Sequence, residues 1–163
     1  MRRADAAVYH PLANARLCAS RQRVIRHPPP CPGARMRIAV VDDDPAEHLI
    51  LRELGASVRA EARFEGFLSM QDFINAGPEG FDIVFLDRRL PPYERYCETL
   101  PALADTAFDG RVVLMTAAAP QSAMDSFRFP ISGPVDKLAL LDPECLAAYL
   151  DDTPCDCTIS ERR

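Results

Sequence analysis

The sequence predicts an α/β fold, a doubly wound five-stranded parallel sheet flanked by helices. Short apolar runs recur at Arg37–Val41, Phe81–Leu86 and Arg111–Met115. They are unbroken rather than alternating, as strands covered on both faces read. Stretches with apolar residues at helical spacing lie between them. Strands alternating with helices imply βαβ units and a parallel sheet.

Each element has its own signal. After the first strand, Pro45 to about Ala56 reads as a helix, with Ala46, Leu49, Ile50 and Leu54 at helical spacing. Ala62–Leu68 is a weaker strand. Ser69 with Asp72 reads as a capping pair opening a short helix that Gly77-Pro78 ends. A short helix is expected from Leu100 to about Ala107, with Pro101 in its first turn. Gln121–Phe127 suggests another short helix. Phe129–Val135 is a poor strand, interrupted by Gly133 and Pro134. Asp142–Asp151 closes the pattern, with Leu146, Tyr149 and Leu150 on one helical face.

Charge divides the 163 residues. Residues 1–35 hold seven Arg and one Asp, a balance of +6, and include Pro28-Pro29-Pro30. They are expected to be a disordered basic extension, with the ordered domain at 36–153 and a tail at 154–163. The rest carries −11. An acidic body argues against nucleic acid, whose phosphates need clustered Lys and Arg. No apolar run approaches the roughly 18 residues of a membrane span, and no secretory leader is legible. Six scattered cysteines without a CxxC pair read as reduced thiols of a cytoplasmic protein.

The chemistry lies at the strand ends. The first strand runs into Asp42-Asp43-Asp44, the third into Asp87 and the fourth into Thr116, while the fifth leads to Lys137. Ligands of open parallel sheets sit outside the carboxyl ends of the strands. Carboxylates with waters suit Mg²⁺, a hydroxyl and an ammonium suit phosphoryl oxygens, and a carboxylate can itself accept a phosphoryl group. Lys137 is the only lysine, so a compact ammonium is wanted there rather than a planar guanidinium. Asp44 precedes Pro45, and Glu47 stands three residues on. Asp44 therefore reads as a helix N-cap and not a third ligand.

From Met36 to about Asp152 the chain resembles the response-regulator receiver domain of two-component signalling. The resemblance rests on Asp42 and Asp43, Asp87 in FLDRRLP, Pro91, Thr116 in VVLMTA and Lys137 in PVDK, at intervals of 44, 29 and 21 residues. It implies the flavodoxin-like receiver fold with strand order 2-1-3-4-5. It implies that Asp87 accepts a phosphoryl group from a histidine kinase or a histidine phosphotransfer protein. Asp42, Asp43, Asp87 and the backbone carbonyl of Arg89 would bind Mg²⁺. Thr116 and Lys137 would hold the phosphoryl group, with Ala117 leaving room beside it. Only 26 residues follow Lys137, so a single-domain receiver is expected, signalling through a downstream protein or passing the phosphate on.

Three features depart from that pattern. Leu138 stands where the family has proline after the lysine, and Pro134 where it often has a switching aromatic. The segment Arg88–Pro101 replaces a short link and suggests a loop over the pocket, with Tyr93 and Tyr96 as possible partner-docking anchors. Two rivals exist. One is a phosphohydrolase of haloacid-dehalogenase type with Asp42 as acceptor; the other is a receiver-like scaffold that needs no phosphorylation.

Overall fold

Five parallel strands lie in the order β2-β1-β3-β4-β5: β1 (Arg37–Val41), β2 (Arg63–Phe67), β3 (Ile83–Asp87), β4 (Arg111–Thr116) and β5 (Ile131–Asp136). The computed structural model describes residues 35–93, 95–116 and 127–152. The helices are α1 (Pro45–Val58), α2 (Met70–Asn75), α3 (Tyr96–Ala104) and α4 (Pro143–Asp151). The helix expected at Gln121–Phe127 lies almost wholly outside the described residues, as do the basic extension up to residue 34 and the tail from residue 153.

Successive strand residues feed opposite faces of the sheet, which explains why the runs are apolar throughout. Ile38, Val40, Ile83, Phe85, Val113 and Met115 pack with Leu51 of α1 and Leu146, Tyr149 and Leu150 of α4. Ala39, Val41, Val84, Leu86, Val112 and Leu114 face α2 and α3, through Phe73, Tyr96, Leu100 and Leu103. On that second face Phe67, Phe73, Phe81, Phe108, Phe129 and Phe127 form a chain of touching rings.

Two helices differ from the expectation. In α1 the core side holds Leu51 and Gly55, with Leu54 and Val58 packed beside them, while Ala46, Leu49 and Ile50 face outward. Local contacts set this phase. His48 Nε2 lies 2.8 Å from the Asp42 carbonyl, and the Phe64 ring fills the space that a side chain at Gly55 would need. α3 starts four residues earlier than expected, at Tyr96. Tyr96, Thr99, Leu100 and Leu103 form its buried stripe, so Pro101 sits inside the helix on its exposed side. The long loop is correspondingly shorter.

β5 is a complete strand in spite of Gly133 and Pro134. Its register against β4 slips between Val113 and Met115, so one extra residue bulges out opposite that gap. Gly133 supplies the left-handed φ of +94°. As the last strand of the sheet, β5 tolerates proline.

Candidate functional site

Strand ends bring the predicted residues together. β1 and β3 are neighbours, and the order of the sheet reverses at this pair, which is where an open α/β sheet leaves a crevice. Asp42 and Asp43 follow β1, and Asp87 ends β3. One carboxylate oxygen from each of the three lies within 4.8 Å of the other two. Thr116 ends β4 and is buried. The Lys137 amide donates to the Thr116 carbonyl at 3.2 Å, which ties the lysine to the same edge.

The acids differ in their surroundings. Asp42 is 0% exposed. Its Oδ1 accepts the Asp44 amide at 3.0 Å, and its Oδ2 faces the Lys137 ammonium at 2.5 Å. No amide or hydroxyl among the described residues donates to that second oxygen. Asp43 is exposed. Asp87 is buried, and Lys137 Nζ stands 3.3 Å from its Oδ1. Burial pushes the Asp87 carboxyl above the ordinary carboxylate value, Lys137 opposes this, and the Asp42 charge adds to it. Burial acts to lower the Lys137 ammonium, but the hydrogen bond to Asp42 and the charges of Asp87 and Asp42 prevail and raise it. An ammonium facing two carboxylates stays charged.

Asp44 stands apart from this pocket. Its Oδ1 accepts the Ala46 amide at 2.9 Å and caps α1, with Pro45 in the first turn. The reciprocal half of the capping box is missing, because the Asp44 amide is already bound to Asp42. Glu47 is thereby released from the cap. It is half-buried and senses the charges of Lys137, Asp42, Asp44 and Asp87, with burial pushing its carboxyl up. Sequence reading missed Glu47 and His48 as neighbours of the pocket. Their place in the first turn of a helix that starts at the acids was the available signal. The His48 ring also lies where any side chain at Gly66 would have to go. A carbonyl can only accept, so His48 Nε2 carries the proton of its bond to Asp42.

The remaining site residues divide. Arg89 is exposed, two residues beyond Asp87, and Ala117 lies outside the described residues. Tyr96 is 7% exposed and belongs to the core, and Tyr93 is half-buried against the same cluster. The expected docking role of Tyr96 is therefore corrected: its ring begins the buried stripe of α3 and is not presented to a partner. Phe127 and Phe129 lie before the start of β5, away from the strand ends that carry the acids. They precede Ile131, which pairs with Val112 at the start of β4, whereas Thr116 pairs with Asp136 at the far end.

The donor set fits a hard divalent cation. Three carboxylates converge, one oxygen is buried with an ammonium alone for company, and Mg²⁺ takes a few protein oxygens while keeping waters.

No protein-family model matches the chain, and no curated protein does. Solved structures do match. A response regulator receiver domain from Bacillus halodurans superposes with a TM-score of 0.59 at 14% identity, over 75% of this chain and 100% of its own. A CheY-like receiver domain from Methylobacillus flagellatus gives 0.56 at 19% identity, over 73% and 98%. A response regulator from Colwellia psychrerythraea gives 0.50 at 19% identity, over 73% and 96%. With its strand order and flanking helices, this chain has the flavodoxin-like fold of response regulator receiver domains.

Proposed function

We propose that the protein is a phosphoacceptor response regulator. Asp87 takes a phosphoryl group from the phosphohistidine of a histidine kinase or phosphotransfer protein. An Asp87 oxygen attacks phosphorus, the P–N bond breaks, the imidazole leaves with a proton, and an acyl phosphate forms. The observation that carries this reading is the meeting of Asp87, the acid pair Asp42–Asp43 and the Lys137 ammonium at one switch point of the sheet. Mg²⁺, when bound, neutralises charge on the phosphoryl oxygens. Asp42, Asp43, Asp87 and the Arg89 carbonyl would hold it. Thr116 and Lys137 would bind the phosphoryl oxygens, with Ala117 beside them.

The surroundings favour Asp87 over Asp42 as acceptor. Both Asp42 oxygens are engaged and the residue is wholly buried, which argues against a dehalogenase-type nucleophile there. A protein donor is supported by one solved relative, the response regulator TrrA in complex with the histidine kinase ThkA, which superposes with a TM-score of 0.50 at 23% identity over 62% of this chain and 84% of its own. Exposed apolar side chains beside the pocket suit such a contact. Leu138, next to Lys137, is 74% exposed, and Leu141 is exposed on a turn that lies against α1. No helix among the described residues is long and apolar enough to cross a membrane.

Phosphotransfer from a panel of purified histidine kinases tests the proposal, with wild type and Asp87→Ala compared. Label on wild type alone supports it. Equal labelling of both moves the acceptor elsewhere.

A further inference from the structure

The ammonium that faces both buried acids is carried by a joint in the chain. β5 ends at Asp136 and a single helical turn, Ala139–Leu141, follows, so Lys137 and Leu138 link the two. A long side chain reaches one fixed point at lower entropic cost when the backbone beneath it is fixed. Two hydrogen bonds fix it here. The Lys137 amide donates to the Thr116 carbonyl at 3.2 Å. The next amide, that of Leu138, donates to Asp136 Oδ1 at 2.9 Å. An aspartate that accepts from the amide two residues on closes a turn with its own side chain, and Lys137 is the middle residue of this one.

The placement of the turn gives it meaning. Asp136 pairs with Thr116 across β5 and β4, so the turn starts level with the buried hydroxyl at the same edge. From its middle residue the Lys137 ammonium reaches Asp42 Oδ2 at 2.5 Å and Asp87 Oδ1 at 3.3 Å. Leu138 lends only its backbone to this arrangement, since its side chain is 74% exposed. Its φ is −66°, the angle at which a proline ring is locked. A proline there would hold the same φ and leave no amide to satisfy. This chain keeps the amide and supplies the Asp136 carboxylate to bind it.

We propose that Asp136 is a positioning residue for Lys137: its side chain closes the turn that aims the ammonium into the acid pocket. Its consequence for phosphoryl capture rests on Lys137 being the phosphoryl ligand proposed above. Lys137 is the only lysine, so its amine can be followed alone. Wild type, D136N, D136A and D136A/L138P are treated with an amine-acylating ester in EDTA, and modification of Lys137 is read by peptide mass spectrometry. Initial rates of labelling by acetyl phosphate in Mg²⁺ and urea midpoints are measured beside it. D136N keeps the accepting oxygen and should match wild type in both rates. D136A should acylate about three- to tenfold faster and take label about three- to tenfold more slowly, with little change in its midpoint. L138P removes the stranded amide and fixes φ, so D136A/L138P should recover towards wild type in both rates. Acylation of D136A at the wild-type rate would overturn the role of Asp136. Equal effects in D136N and D136A would also refute it, by assigning them to charge and not to the turn. A rise in acylation that tracks a fall in midpoint across the variants would make Asp136 merely structural and refute it too. Faster acylation of D136A beside unchanged labelling would leave the turn standing and overturn Lys137 as phosphoryl ligand.

Discussion

The Lys137 ammonium stands 2.5 Å from Asp42 Oδ2, and Asp42 is wholly buried. A buried ion pair of this kind gives Lys137 a structural part beside the one proposed for it. Removing one partner of a buried pair leaves an uncompensated charge. Lys137→Ala should lower stability by about 2–4 kcal/mol in chelator, and by less in Mg²⁺, where an ion takes over the charge. Lys137→Arg keeps the charge but offers a planar fork to a site shaped for a point charge, and should impair the response to phosphorylation. Urea unfolding with and without Mg²⁺ measures the first effect. A loss of the same size in both conditions would contradict the argument.

The three consecutive acids should separate in a Mg²⁺ titration. Asp43→Asn weakens binding, whereas Asp44→Asn leaves it largely intact, because asparagine also caps helices well. Asp44→Ala removes the bond to the Ala46 amide and should cost about 1 kcal/mol of stability, with Mg²⁺ affinity changed little. Equal losses of affinity in Asp43→Asn and Asp44→Asn would refute the division.

Asp87 gives the pH dependence. Its carboxyl is held above the ordinary value chiefly by burial, so the folded chain binds that proton more tightly than the unfolded chain. Ionised Asp87 therefore opposes folding above its raised pKa, and the opposition fades as pH falls through that value towards the ordinary one. Asp87→Asn removes it and should raise the metal-free midpoint at neutral pH by a few degrees, on the order of what one kcal/mol or less produces. Protons also compete with Mg²⁺ for the carboxylate, so affinity should begin to fall at a pH above the ordinary carboxylate range. Calorimetry across a pH series reads this directly; a fall confined to the ordinary range contradicts it.

Gly133 should not tolerate alanine. Its φ is +94°, and a Cβ would stand 2.7 Å from the Leu114 carbonyl oxygen and 2.9 Å from the Val135 nitrogen. Both neighbours are backbone and cannot swing aside. Gly133→Ala should cost about 1–3 kcal/mol, measured by urea unfolding. Because the bulge precedes Lys137 by four residues, the variant should also weaken phosphoryl capture.

Leu138 tests the partner surface. Leu138→Glu places a charge on an exposed side chain beside the pocket, so folding should be unaffected. Labelling by acetyl phosphate should stay within about twofold of wild type, while transfer from the cognate kinase should fall about tenfold or more. Parallel loss with both donors would put the effect in the pocket and not at a protein contact.

Much of this architecture was legible in the chain. Unbroken apolar runs located β1, β3 and β4, and the polar residue at each strand end pointed to the edge where the site lies. Asp42, Asp43, Asp87, Thr116 and Lys137 do meet there. Where expectation and structure part, a tertiary contact or a competing local signal decided. Apolar spacing in α1 pointed to Ala46, Leu49 and Ile50, whereas Leu51 and Gly55 face the core, with Phe64 packed against Gly55 and His48 meeting the Asp42 carbonyl. Pro101 looked like a helix start, although the stripe Tyr96, Thr99, Leu100 and Leu103 was already present at helical spacing. Glu47 read as half of a capping box because nothing in the sequence reveals that Asp42 claims the Asp44 amide first.

The bulge in β5 has one more consequence, for how copies of the chain meet. A regular outer strand presents a row of unpaired amides and carbonyls onto which a neighbouring molecule can zip. β5 instead bends at Gly133 and loses an amide at Pro134, while the opposite margin, β2, is only five residues long and carries Arg63 and Glu65 outward. Both margins thus carry features that discourage a sixth strand, and such features oppose edge-to-edge growth into ribbons where molecules crowd together.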